Sequence, residues 1–269
     1  MLEKLLKYEI RATARTFLPL YGLILLLAVV NRALFQSAAN QMNLFNIPRA
    51  ITMTVYVVLI VAMFVMTLVV TIQRFYKNLL GDEGYLSFTL PVKTHSQIDA
   101  KMIVTLLWSV LSILVAAASI FIIASDADTL ASFSRFCAGV AELYSRYGLH
   151  AHLIAFEVVA LCVVDFASGV LHIYASIAVG NLAGRHKQLA AFGAFIGFSV
   201  VEQIFVLIFV EAFGGSISGY FRAFHYSSEY FPTAPVEIAL LGMIAYSAVF
   251  FAAFYFITDW ILSRKLNLE

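Results

Sequence analysis

Charged side chains are scarce in this sequence, and their scarcity excludes most soluble protein classes. Only 12% of the 269 residues are Asp, Glu, Lys or Arg, whereas 62% are hydrophobic. A soluble globular domain is about a quarter charged and about half apolar. The mean hydropathy of +0.91 therefore indicates an integral membrane protein. The net charge of +1 gives no basis for expecting a nucleic-acid partner.

Cysteine is nearly absent, which excludes a disulfide-stabilised scaffold. The two cysteines, Cys137 and Cys162, are too few for a disulfide framework, and we expect both to be free thiols. The basic start of the chain leads into an apolar run that is longer than the core of a secretory signal and has no small-residue cleavage site. We therefore expect no cleavable signal.

Catalytic and nucleotide-binding motifs are also missing. The sequence has no G-x-x-x-x-G-K-[ST] loop to cradle ATP phosphates, and it has neither H-E-x-x-H nor G-x-S-x-G. His150 and His152 form an H-x-H pair, but two histidines without a third ligand are weak evidence for zinc, and we expect a solvated loop there. We therefore expect no enzymatic activity, no metal and no cofactor in this chain.

Six long apolar runs dominate what the sequence does contain. A helix needs about 20 mostly apolar residues to cross a bilayer core, and the alternating pattern of a membrane barrel is absent. The predicted spans are residues 17–35, 50–72, 102–124, 152–180, 189–213 and 236–262. Residues 214–235, rich in Tyr and Phe, predict a loop at the headgroup level. The predicted fold is an all-α integral membrane protein in which residues 1–269 form a single transmembrane domain.

The distribution of Lys and Arg predicts the orientation of these spans. With the N-terminus inside, 12 of the 17 basic residues lie on the cytoplasmic side, and the outer side carries only Arg32, Arg49, Arg135, Arg146 and Arg222. Cytoplasmic loops of membrane proteins carry an excess of positive charge. We therefore expect both termini to be cytoplasmic.

Two shorter segments have apolar residues at helical spacing. Residues 1–16 predict an N-terminal amphipathic helix on the inner leaflet or, with equal support, an extension of the first span. Residues 128–147 predict a short outer-surface helix between the third and fourth spans. Asp126 or Asp128 would cap its start, and Gly148 would end it.

A polar segment, "GDEGYLSFTLPVKTHSQIDAK" (residues 81–101), separates the second and third spans. Helix is predicted to continue up to it through "TIQRFYKNLL" (71–80), and a glycine pair then permits a tight reversal. An extended stretch ends at Pro91, and Thr94 with Gln97 has the spacing of a capping box. These features predict a folded cytoplasmic element. The residues alone leave open whether it docks a partner or merely connects two helices.

The chain resembles the permease subunits of bacterial ABC transporters, in the type-two exporter class common in Firmicutes. The resemblance lies in "FYKNLLGDEGYLSFTLPV" after the second span, "GNLAGRHKQLAAFGAFIGF" between the fourth and fifth, and "SVVEQI" within the fifth. The six-span layout agrees, so the resemblance covers essentially the whole chain.

The resemblance implies that residues 79–101 are a coupling element that docks on a separate ATPase subunit. Asp82, Glu83 and Tyr85 would meet that partner, and Pro91 would fix the turn. It also implies export through a pair of identical or related permease chains, with two ATPase subunits that bind ATP and Mg²⁺. The expected location is the bacterial cytoplasmic membrane, and residues 1–269 would be a single permease domain.

Ionisable residues within the predicted spans are candidates for a translocation path, because charges inside a bilayer are costly and usually face the protein interior or water. Asp165 and His172, seven residues apart, share one face of a helix and lie about 10 Å apart along its axis. Glu202 lies near the depth of Asp165, and these three are the candidate path residues. A hydrogen-bonded packing contact is the open alternative, and it is the favoured one for Glu157 and Glu211, nearer the outer surface.

A glycine pair on the fifth span predicts close packing. Gly193 and Gly197 form a small-xxx-small pattern about opposite Glu202, which suits close helix contact. We therefore expect both sides of this helix to be buried in protein.

Two other function classes stay open on the residues alone. One is an ion-coupled secondary carrier that uses Asp165, His172 and Glu202, and the other is a membrane scaffold without transport activity. Stable co-purification with an ATPase would separate both from a permease.

Overall fold

The computed structural model describes residues 2–38, 46–80, 93–226 and 233–264. These residues are almost entirely helical and contain no strand. The helices are α1 (Leu2–Ala38), α2 (Asn46–Phe75), α3 (Thr94–Ala124), α4 (Ala127–Tyr147), α5 (Leu149–Asn181), α6 (Lys187–Tyr226) and α7 (Thr233–Arg264), with a π-helical turn, Tyr76–Leu80, directly after α2.

The six predicted spans are confirmed as helices. All but α4 contain an apolar stretch long enough to cross a bilayer, because about 20 residues of helix match the hydrocarbon thickness. Large aliphatic side chains cover the outward faces of these helices. The all-α, six-span membrane fold follows, and the chain is a multi-pass membrane protein.

Residues 2–16 extend the first span. They belong to α1, which runs unbroken to Ala38 and includes Pro19. Leu6 and Ile10 pack against the buried core beside α1, while Lys4 and Lys7 are exposed. Of the two interpretations of this segment, the structure therefore has the extended span and not a separate helix.

The predicted loop at residues 214–235 is wrong over its first half. Helix α6 continues to Tyr226, so Gly214 and Gly215 lie inside it. Glycine is tolerated in membrane helices, and continuing the helix keeps backbone groups paired.

The predicted ends of α4 are confirmed, whereas the predicted start of α3 is only partly so. Asp126 accepts a hydrogen bond from the Thr129 backbone N–H at 2.9 Å, and Gly148 adopts the left-handed conformation with φ of 51° that suits glycine. Lys93 is the N-cap of α3 and makes no side-chain capping bond. Thr94 is thus the first helical residue, and the predicted capping box is wrong.

The described residues form two compact units, each built around three spans. In the first, α1 packs against both α2 and α3. Beside Val104 and Trp108, α3 buries several small side chains, which let helices approach closely in a membrane. They are Ser109, Ser112, Ala116 and Ser119.

The second unit is built on α5, which packs against both α6 and α7. Small buried side chains again line the central helix, among them Ala167, Ser168, Ala175, Ser176, Ala178 and Gly180. Helices α6 and α7 touch each other far less than either touches α5. Space is therefore left between them. That the whole chain acts as one permease domain stays a prediction.

Candidate functional site

The four residues predicted to couple to an ATPase, Asp82, Glu83, Tyr85 and Pro91, lie outside the described residues. What the structure describes is the approach to them from either side. On one side, α2 passes into the π-helical turn, where Leu79 and Leu80 are buried. On the other side, α3 begins at Thr94.

An ion network in the first unit joins the helices that flank this segment. Glu9 of α1 binds Lys101 of α3 at 2.6 Å and Arg74 of α2 at 3.4 Å. The Lys101 side chain is only 7% exposed and that of Glu9 15%, so this pair is shielded from solvent, whereas Arg74 is 32% exposed. A carboxylate that pairs with two cations on different helices ties all three together.

Hydrogen bonds continue this connection along the first unit. The Trp108 indole donates to Thr13 Oγ1 at 2.7 Å, and its ring stacks on Phe17 with centroids 4.8 Å apart. The Tyr21 hydroxyl lies 2.8 Å from Ser112 Oγ. Buried polar groups in a membrane helix need such partners, and here they fix the rotation of α1 against α3.

The second unit brings together the three candidate path residues. A cleft of about 330 Å³ lies between its helices, lined by Asp165, Ser168, Ser199, Glu202, Gln203, Val206, Tyr246, Ser247 and Phe250. Asp165 and Glu202 both line it, and His172 contacts Glu202 from the side. Its volume is at the lower end of the range of ligand pockets, about 300–1,000 Å³.

His172 and Glu202 contact each other at the edge of this cleft. His172 Nδ1 lies 3.1 Å from Glu202 Oε2, and the histidine is 7% exposed. Its ring stacks between Phe195 and Phe254, with centroid distances of 4.6 and 4.9 Å. Aromatic faces attract a cationic ring, so this pocket accommodates the protonated imidazole as well as the neutral one.

Hydroxyl groups of α7 bind the side chain of Asp165 and the backbone of Glu202. Ser247 donates to Asp165 Oδ1 at 3.1 Å, and the Tyr246 hydroxyl donates to the backbone carbonyl of Glu202 at 3.0 Å. Two neighbouring residues of α7 thus bind the helices on either side of the cleft, α5 through Asp165 and α6 through Glu202. The arrangement can hold a proton at the His172–Glu202 pair and a charged group beside Asp165.

The remaining ionisable residues of the spans lie apart from the cleft lining. Glu157, for which a packing contact is favoured above, is buried, and its Oε2 has no hydrogen-bond partner within the described part of the chain. Glu211 is exposed. His150 binds Glu237 at 2.8 Å, and His152 packs against the Tyr144 ring.

The glycine pair of α6 does not make the expected close contact. A Cβ at Gly193 or Gly197 would meet nothing within 4 Å among the described atoms, and the apolar stretch of α6 has no buried residue. The close approach is at Gly180 of α5, where a Cβ would overlap Ala191. The small-xxx-small pattern identifies a helix face made of small residues. It does not identify which helix, if any, packs against that face.

Three contributors to these sites were missed by sequence reasoning. Glu9 lies among basic residues that together indicated an amphipathic surface, and Tyr246 and Ser247 are ordinary polar residues of a span. A carboxylate on the apolar side of a predicted amphipathic helix is the signal that would have found Glu9. Nothing in the sequence singles out Ser247.

Comparison with known proteins does not assign the chain: no family model, curated protein or solved structure matches it.

Proposed function

We propose that this chain is the transmembrane subunit of an ABC transporter of the bacterial cytoplasmic membrane, that it exports its substrate, and that a separate ATPase drives it. Two permease chains, identical or related, and two ATPase subunits would form the working complex. The ATPase would dock on residues 79–101 and supply ATP and Mg²⁺ chemistry that this chain does not carry. The sequence resemblance is the first support for this proposal.

The Glu9 ion network is the observation that carries it. Arg74 precedes the proposed docking segment and Lys101 follows it, and Glu9 binds both. A push on the segment would therefore reach α1, α2 and α3 together, as a rigid-body displacement requires. A simple connector needs no such brace at both of its ends.

The test is purification of the tagged chain from its native membrane in mild detergent. We expect an ABC ATPase to co-purify at one copy per permease chain, in a particle that contains two of each. The double variant Glu83→Ala, Tyr85→Ala should lose the ATPase or its coupled hydrolysis, because carboxylates pair with Arg and tyrosine anchors interfaces.

The matched control is Glu142→Ala, an acidic change on exposed α4, predicted to face the other side of the membrane. It should leave ATPase docking unchanged. Normal docking and normal ATP hydrolysis in the double variant would reject the coupling role of residues 79–101.

A second candidate is favoured by the His172–Glu202 pair. An ion-coupled carrier needs a group that gains and loses a proton inside the membrane, and chains of Asp, Glu and His serve that purpose. Such a carrier would work without an ATPase. Absence of any ATPase from the purified complex, with transport driven by a pH gradient alone, would favour it over the permease.

A further inference from the structure

The cleft between α5, α6 and α7 is lined by two chemically different kinds of side chain. Asp165, Glu202, Gln203 and three serines are polar, whereas Val206, Phe250 and the ring of Tyr246 are apolar. The Tyr246 and Phe250 rings lie 4.9 Å apart at a tilt. A ligand that filled this space would need a polar end and an apolar body.

The charge of the cleft follows from the contacts of His172. Its Nε2 lies 3.2 Å from the Phe195 carbonyl oxygen, which only accepts hydrogen bonds, so Nε2 carries a hydrogen. The Nδ1 atom and Glu202 Oε2, 3.1 Å apart, then share one further proton. The pair is electrically neutral whichever atom holds that proton.

Asp165 is the second acidic side chain of the cleft. Its contact is the neutral Ser247 hydroxyl, and among the described residues no cationic side chain pairs with it. An unpaired carboxylate within a membrane span is costly. A positively charged group entering the cleft would remove that cost.

The apolar lining residues favour an organic cation over a metal ion. Aromatic faces attract ammonium groups, and they also bury hydrocarbon. A metal ion would use neither property, and the described residues contain no group of three or more His, Cys, Asp or Glu side chains placed to share one.

We propose that this cleft binds a monovalent organic ammonium compound, with its ammonium group at Asp165 and its apolar body along Tyr246 and Phe250. The proposal rests on the transport function proposed above and names the chemical class of the substrate. Glu202 also lines the cleft, but the proton that it shares with His172 keeps that pair neutral, so it adds no competing charge.

The test uses the full chain in phosphatidylcholine nanodiscs and two fluorescent compounds. Dansylcadaverine carries a primary ammonium group, and its N-acetyl derivative has the same body without the charge. Binding is measured by anisotropy, with empty nanodiscs as the blank. We expect the amine to bind about tenfold to a hundredfold more tightly, because hydrogen bonds to charged groups are the stronger ones.

Two variants locate the site. Asp165→Asn should remove most of the preference for the amine while keeping a partner for Ser247. Phe250→Leu should weaken binding of both compounds alike, roughly threefold, through the aromatic contact that the apolar body loses. The matched control is Glu211→Gln, an exposed acid of α6 that does not line the cleft, and it should bind like the wild type.

Equal affinity for the two compounds in the wild-type chain would overturn the proposal, and this comparison needs no variant to fold. An unchanged preference in Asp165→Asn would also overturn it. Because the chain is measured without an ATPase, failure here would leave the docking proposal standing. Likewise, if no ATPase docks on the chain, the measured preference for the amine would still identify the class of ligand.

Discussion

Single residues decide how closely the spans approach each other. At Gly180 the missing side chain is essential, because any Cβ would overlap both the backbone and the side chain of Ala191. Gly169, on the same helix, has open space around it. The two glycines are alike in sequence context and differ only in what faces them.

A pair of alanine substitutions tests this difference. Gly180→Ala should destabilise the protein by about 1–3 kcal/mol, the usual cost of overpacking a tight contact. Gly169→Ala should be neutral or stabilising by up to about 1 kcal/mol, because alanine favours the helix. Thermal unfolding in detergent measures both. Equal melting temperatures would contradict the close contact between α5 and α6.

The Glu9 carboxylate binds two cations on different helices, the buried Lys101 and the partly exposed Arg74. Glu9→Gln would leave Lys101, 7% exposed, without its closest anionic partner, and we expect a loss of about 3 kcal/mol. Thermal unfolding again reports it. Glu3→Gln, an exposed acid on the same helix, is the control. If both variants melt alike, the network does not brace the first unit.

At the scale of the element, α4 depends on its cap because none of its residues is buried. Hydrogen bonds from the Thr129 side chain and backbone N–H lower the pKa of Asp126 below its ordinary value of 3.8. The charged carboxylate therefore caps the helix. Its contribution is complete above the ordinary pKa and is lost as the pH falls through the lowered one.

Hydrogen exchange at the Thr129 amide tests the cap. Protection, corrected for the intrinsic rate, should fall as the pH drops through the lowered pKa of Asp126. Asp126→Asn keeps a good capping group that does not titrate, so its protection should not depend on pH in that range. The same pH response in both proteins would show that Asp126 is not the group responsible.

Helix existence was predictable from the sequence, and helix ends were less so. Long apolar runs specify spans because lipid forbids unpaired backbone groups, and a local signal such as Asp126 specifies a cap. The end of α6 was misplaced because a segment rich in Tyr and Phe suits the headgroup level whether it is a loop or a helix. Local sequence does not tell whether a segment lies in water or in lipid, and that difference decides where the helix ends.

Across the whole molecule, the predicted orientation is testable with a native thiol. Cys137 is free and exposed on α4, which we expect to face outward. An impermeant maleimide added to intact cells should label it. In a chain whose two cysteines are replaced by serine, Ser263→Cys, exposed near the end of α7, should react only after permeabilisation. The opposite pattern would reverse the topology.

The candidate site was visible in part from the whole sequence. Asp165, His172 and Glu202 stand out because acids and histidines are rare in spans. Ser247 and Tyr246 do not, because their roles depend on how α7 is rotated against α5, and that rotation is set by packing throughout the second unit. A charged residue within a span can be recognised from the sequence, but its neutral hydrogen-bond partners can be identified only from the folded structure.

The π-helical turn Tyr76–Leu80 allows the end of the second span to change its length by one residue. A π turn holds one residue more than an α turn, because its hydrogen bonds run from i to i+5. Relaxing to α-helix would release that residue and shift the following chain by about 1.5 Å and about 100°. A pull on the chain after Leu80 would then lengthen the helix end by this single step. The Arg74 contact with Glu9, which lies before the π turn, would stay in place.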